Sequence, residues 1–174
     1  NVSNVADIIQ IGARSMQNFS LLKAVGQCEQ PVMLKRSFSA TLDELLMAAE
    51  YIISSGNRRI ILCERGIRSF DNHTRNLLDL ASVAVLKTLT HLPVIVDPSH
   101  GTGQRHLVIP TSRAAMAIGA HSVIIEVHDR PQDALCDGPQ AIDSTMFNEL
   151  VRSLKGLAKP LNVTFIGEGS DDTK

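Results

Sequence analysis

Arg14, Lys35, Glu64 with Arg65, His100 and Glu126 each stand at or just beyond the end of a short apolar run. Cations, an imidazole and carboxylates that recur at this spacing suit the binding of anions and of a divalent metal. Arg14 follows a glycine in IGAR, where backbone amides and a guanidinium face an anion together. Lys35 closes PVMLK, and an ammonium group near a buried strand end needs a carboxylate or phosphate partner. CERGIR (63–68) sets two arginines and a glutamate about a glycine, a fork suited to phosphate or carboxylate. His100 lies in DPSHGTG just past a strand, and Glu126 closes a β-branched run that requires it to be paired, protonated or metal-bound. With Asp137 of CDGPQ these make three ligands for a divalent cation, beside Arg14, Lys35 and Arg65 as anion holders. Each residue alone has a plainer reading: a solvated arginine, a snorkelling lysine, a Glu64 salt bridge, a turn aspartate. Their recurrence at five strand ends favours the chemical one.

The elements that must position them are the runs DIIQI (7–11), PVMLK (31–35), RIILC (59–63), PVIVD (93–97) and SVIIEV (122–127). Parallel α/β proteins place chemistry at the carboxyl ends of such strands. The spacing predicts helices over 41–55, 18–25, 74–87, 111–118 and 144–154, the first capped by Thr41 and stopped at Gly56. The alternation fits an open doubly wound sheet or part of a (β/α)₈ barrel. A full barrel needs about 250 residues, so 174 residues are expected to form an open sheet or an incomplete barrel. No GxGxxG or GxxxxGK[ST] opens the first helix, which removes the main support for dinucleotide and P-loop readings.

A chain that is 44% hydrophobic with net charge −1 is globular, without the basic surplus of a nucleic-acid binder. No apolar stretch approaches the roughly 20 residues of a membrane span, and no signal-peptide pattern opens the chain, so a cytoplasmic protein is expected. Cys28, Cys63 and Cys136 form no CxxC pair and are expected to be reduced thiols. Asn1 is not an initiator methionine, and the chain is expected to be part of something longer. Residues 1–159 are read as one partial barrel and 160–174 as a tail without chemistry.

The strings IGARSMQNF, LKRSFSAT, ILCERGIRSF, TRNLLDL, VIVDPSHGTGQR, IIEVH and ALCDGPQ closely resemble the 3-deoxy-D-arabino-heptulosonate 7-phosphate (DAHP) synthase family, type Iβ branch. The resemblance covers the chain to about residue 155 and matches the fourth to eighth strands of that family's barrel. It implies a transferase that condenses phosphoenolpyruvate with erythrose 4-phosphate to open the shikimate pathway of aromatic amino acid biosynthesis. By resemblance His100, Glu126 and Asp137 are metal ligands, and Ala13, Arg14, Lys35, Glu64 and Arg65 bind substrate. Lys35, Arg65 and His100 would serve catalysis. The implied cofactor is a divalent metal ion, Mn²⁺ first, with Fe²⁺, Co²⁺ or Zn²⁺ as alternatives. The family's cysteine ligand, in a GPC motif, and its KPRTSP-like loop have no counterpart here. A non-catalytic barrel fragment or association subunit is the alternative, and 3-deoxy-D-manno-octulosonate 8-phosphate synthase ranks below both. Open sheet edges would favour a homo-oligomer or association along those edges, and poor stability alone.

Overall fold

A computed structural model describes residues 2–166. Five short parallel strands form one sheet: β1 (Ile9–Ile11), β2 (Val32–Lys35), β3 (Ile60–Glu64), β4 (Val94–Val96) and β5 (Ser122–Val123). Their order in space is their order in sequence, with Ile9 opposite Val32, Val32 opposite Ile60, Leu62 opposite Val94 and Val96 opposite Val123. A doubly wound sheet reverses strand order at a switch point. This sheet never reverses, so the doubly wound alternative is overturned and the architecture is a run of consecutive βα units of barrel type.

The helices are α1 (Phe19–Val25), α2 (Leu42–Ser54), α3 (Leu80–Leu89), α4 (Pro98–Thr102), α5 (Arg105–Ala117) and α6 (Ser144–Ala158). Their starts follow from capping chemistry. Asn18, Thr41, Asp79, Asp97 and Asp143 each accept a backbone N–H of the first turn, and Thr41 with Glu44 completes a capping box. Gly56 stands at φ 121 beyond α2, where a side chain would be strained.

Alternate strand residues Val32, Leu34, Ile60, Leu62, Val94 and Val96 join α2 and α3 in the main core. The other face carries Gln10, Met33 and Ile61, which are exposed or half-buried, together with Lys35 and Cys63, which are buried. That second face corresponds to the interior of a closed barrel. A smaller core joins α5 and α6 through Val108, Ile142, Leu150 and Leu154, and Phe165 packs against it. The C-terminal glycines and aspartates of the expected tail lie outside the described residues.

Several boundaries differ from expectation. SVIIEV was expected as one strand, but pairing stops at Val123 because β4 has ended: after Ile124 N–H donates to Val96 O (2.9 Å), Asp97 is already capping α4. Glu126 therefore lies in a connecting segment, its N–H donating to Ser99 Oγ (3.0 Å) and its carbonyl accepting from Ile142 N–H (3.0 Å). DPSHGTG, which was not among the expected helices, forms the short helix α4, begun by Pro98 and ended by Gly103 at φ 70. The helix expected over 74–87 starts only at Leu80. The preceding residues instead bond outward, Arg75 N–H to Thr102 O and Asn76 N–H to Gly101 O, tying the loop after β3 to α4. α5 begins before the expected 111 and carries Pro110 inside it.

Candidate functional site

At the carboxyl end of β4, Asp97 is 1% exposed and organises its surroundings. Its Oδ1 accepts from His100 N–H (3.0 Å), and its two oxygens lie 2.9 and 3.1 Å from His100 Nδ1. The same Oδ2 accepts from Lys35 Nζ at 2.7 Å, across the sheet from the end of β2. Burial opposes ionisation of Asp97, but the His100 hydrogen bond and the Lys35 charge outweigh it and hold the carboxyl below the usual carboxylate range.

With Nδ1 engaged, His100 turns Nε2 toward Glu126 Oε1 (3.5 Å) and Asp137 Oδ2 (3.8 Å). The three ligand atoms lie within 4.8 Å of one another. A divalent ion about 2.0–2.2 Å from each ligand atom sets neighbours about 3.0–3.5 Å apart at octahedral or tetrahedral angles. Small side-chain adjustments of two partly exposed carboxylates meet that requirement. A nitrogen and two oxygens suit a borderline-to-hard divalent ion, and a carboxylate behind the imidazole is the usual support of a metal-binding histidine. The residues present therefore fit a divalent metal.

Asp137 is held in place from several sides. It sits at φ 56, a conformation aspartate tolerates, and its carbonyl accepts from the Gln140 (3.1 Å) and Ala141 (3.0 Å) amides. A Cβ on the next residue, Gly138, would come 2.5 Å from the Pro131 carbonyl oxygen, so glycine is required there. Arg75 Nη1 lies 3.5 Å from Asp137 Oδ1 and donates to Gln140 Oε1 (3.1 Å). Arg105 donates to the Gly138 and Ala141 carbonyls, closing the loop from below.

Cations gather on the same side. Arg65, just past β3, is 4% exposed, and its Nη1 is buried without a hydrogen-bond partner. Its guanidinium lies 4.6 Å from the centroid of the Phe38 ring, and the exposed Arg14 lies 5.7 Å from the same centroid. Burial lowers the Arg65 pKa; Asp97 opposes that shift, while the charges of Arg75 and Arg14 add to it. A buried, under-satisfied guanidinium among like charges is the arrangement of an anion site. Ala13, buried at the end of the first βα turn, precedes Arg14.

Glu64, expected among the substrate-binding residues, is instead fully buried. One oxygen accepts from Gly66 N–H (2.7 Å), and the other from Arg36 Nη1 (2.9 Å). Arg36 also donates to Asp79 Oδ2 (3.0 Å) and Ala40 O (2.9 Å). Burial pushes the Glu64 carboxyl up, against the pull of Arg36. The pair fixes the turn that carries Arg65. Arg36→Met is expected to destabilise the fold by about 3–5 kcal/mol, since it strands a buried carboxylate, as urea unfolding would read. Cys63 is buried, and burial pushes its thiol above the ordinary range, so it offers no thiolate ligand.

The sequence reading gave no role to Asp97, Ser99, Asp79, Arg75, Gln140 or Arg36. Asp97 had a signal: an Asp-Pro pair three residues before a histidine is a helix cap aimed at that histidine. Arg75 and Gln140 had none, because their meeting depends on how two distant loops fold together.

The fold and site together define a barrel-type α/β chain with a His–Glu–Asp cluster and buried cations at its carboxyl strand ends. The chain belongs to the DAHP synthetase I family, which residues 1–162 match. Phospho-2-dehydro-3-deoxyheptonate aldolase of Thermotoga maritima is 56% identical over 162 residues, covering 93% of this chain and 48% of that protein. The crystal structure of the Thermotoga maritima DAHP synthase superposes with a TM-score of 0.93 at 55% identity, covering 94% of this chain and 48% of that one. A 2-dehydro-3-deoxyphosphooctonate aldolase of Pelobacter propionicus is 35% identical over 167 residues, 89% of this chain and 60% of that protein. The chain thus spans about half the length of the heptonate relative and under two thirds of the octonate one.

Proposed function

We propose that this chain carries the metal- and phosphoenolpyruvate-binding part of a DAHP synthase, which joins phosphoenolpyruvate to erythrose 4-phosphate and releases inorganic phosphate. The observation that carries the reading is the convergence of His100, Glu126 and Asp137 within 4.8 Å, on the same side as the unpartnered Arg65 guanidinium. In this reading those three residues hold the divalent ion, Mn²⁺ in preference to Fe²⁺, Co²⁺ or Zn²⁺. When bound, the ion supplies Lewis acidity toward the aldehyde oxygen of the sugar phosphate.

Arg65, Arg14 and Lys35, with the Ala13 amide nearby, hold the phosphate and carboxylate of phosphoenolpyruvate. Phe38 stiffens the two guanidinium groups, and Asp97 keeps one proton of the Lys35 ammonium, leaving two for the substrate. Held this way, the methylene carbon of phosphoenolpyruvate faces the aldehyde carbon and bonds to it, while positive charge develops at the enol carbon. Water adds there, the proton it releases balances the one taken up by the former aldehyde oxygen, and the hemiketal phosphate collapses to a ketone as its C–O bond to phosphate breaks. Most of the acceleration comes from placing two anions face to face.

The 56% identity to a heptonate enzyme against 35% to an octonate one favours the four-carbon acceptor. Residues 1–159 act as one partial barrel, with the remainder a tail. Among the described residues no helix is long and apolar enough to cross a membrane, and three free thiols suit the cytoplasm. The unpaired edges of β1 and β5 are where further barrel strands or a second subunit would add.

The test is a phosphate-release assay with Mn²⁺ on protein expressed from its complete reading frame. Release that requires erythrose 4-phosphate supports the reading. No release, or release only with a five-carbon acceptor, defeats it. Residues 1–174 expressed alone are expected to be inactive, because the cysteine ligand implied by the resemblance is absent.

A further inference from the structure

We propose that Asp97 is a positioning residue for the metal site, holding the His100 proton on Nδ1 so that Nε2 is the atom left to bind metal. The inference rests on the reading of His100 as a ligand and extends it to a residue outside the cluster.

Geometry carries it. Asp97 grips His100 twice, at the backbone amide (3.0 Å) and at ring Nδ1 (2.9 Å), so the helix turn and the ring plane are fixed by one carboxylate. Nδ1 can approach a carboxylate that closely only as a donor, and a neutral imidazole then has its lone pair on Nε2. Nε2 is the nitrogen that faces Glu126 and Asp137. The carboxylate is buried, and the ammonium of Lys35 at 2.7 Å is the charge that makes its burial tolerable. Asp97 thus accepts from three donors: the His100 amide, the His100 ring and the Lys35 ammonium. An asparagine could keep its one oxygen on the ring, because Oδ1 alone lies within reach of both the His100 amide and Nδ1. A leucine has no acceptor, so Asp97→Leu breaks the constraint on the ring.

The experiment compares unaltered protein, expressed from its complete reading frame, with Asp97→Leu and with the double variant Lys35→Met/Asp97→Leu. The double variant removes both buried charges together and so guards against simple unfolding. Two readouts need no substrate. The first is the imidazole tautomer of His100, by ¹⁵N NMR of metal-free protein at a pH where the spectrum shows the ring to be neutral. The second is Mn²⁺ affinity, by competition with a chromophoric chelator. The expected result is an Nδ1–H tautomer in the unaltered protein, loss of that preference in both variants, and Mn²⁺ affinity lower by about 10- to 100-fold. Folded variants that keep the tautomer and bind Mn²⁺ as before overturn the inference alone. Failure of the unaltered protein to bind Mn²⁺ at all contradicts the metal reading, and this inference with it.

Discussion

Replacing Arg65 with Met is expected to lower kcat/KM for phosphoenolpyruvate by about two to three orders of magnitude, with the fold intact. Truncating one partner of a buried, hydrogen-bonded charge pair costs about 2–5 kcal/mol, and each 1.4 kcal/mol is tenfold. The guanidinium is 4% exposed, and its Nη1 has no protein acceptor, so its function is directed at a ligand and its loss leaves no stranded carboxylate. The effect should fall mainly on the use of phosphoenolpyruvate, with a smaller change in KM for the sugar phosphate. Arg65→Lys should recover little, because an ammonium cannot reproduce a planar fork over Phe38. Steady-state kinetics of both variants against both substrates check this. Unchanged kinetics would detach Arg65 from the anion site.

His100→Ala is expected to have the second large effect, on metal binding. Residues that only support a ligand change affinity by about 10- to 100-fold, so losing a ligand itself should exceed about 100-fold and abolish turnover at ordinary metal concentrations. A site saturated to 100 times its Kd stabilises the folded state by about 2.7 kcal/mol. Unaltered protein should therefore show a rise in Tm on adding Mn²⁺, and the variant should show none. Removing the ring also takes a hydrogen-bond donor from the buried Asp97 carboxylate, so the metal-free Tm of the variant should fall, and the comparison is of the Mn²⁺-induced shift in each protein. Equal Mn²⁺-induced shifts in the two proteins would place the ion elsewhere.

Strand ends were legible because a buried parallel strand is a run of apolar residues, and its last residue is conspicuous when charged. Lys35, Arg65 and His100 were found that way. The α2 helix was legible from its capping box and from Gly56, both local signals. The surroundings of Glu64 were not legible, for a physical reason. Sequence shows a carboxylate between cysteine and arginine, but not that alternation turns it to the helix-packed face, where Arg36 and Gly66 take both its oxygens. The end of β5 was misjudged because β-branched residues continue past the point where β4 stops offering partners. Strand order, which decided between barrel and doubly wound architectures, resides in pairings between distant residues that no local pattern carries. Arg75, Gln140 and Asp137 meet for the same kind of reason, through loops separated by a whole βα unit.

In the proposed site one ion is shared by His100, Glu126 and Asp137. Anomalous diffraction at the manganese edge, from crystals of the protein grown with Mn²⁺, would locate that ion. A peak about 2.0–2.3 Å from His100 Nε2 and from one oxygen each of Glu126 and Asp137 is the predicted result. A peak bound by other side chains, or none at saturating Mn²⁺, would contradict it.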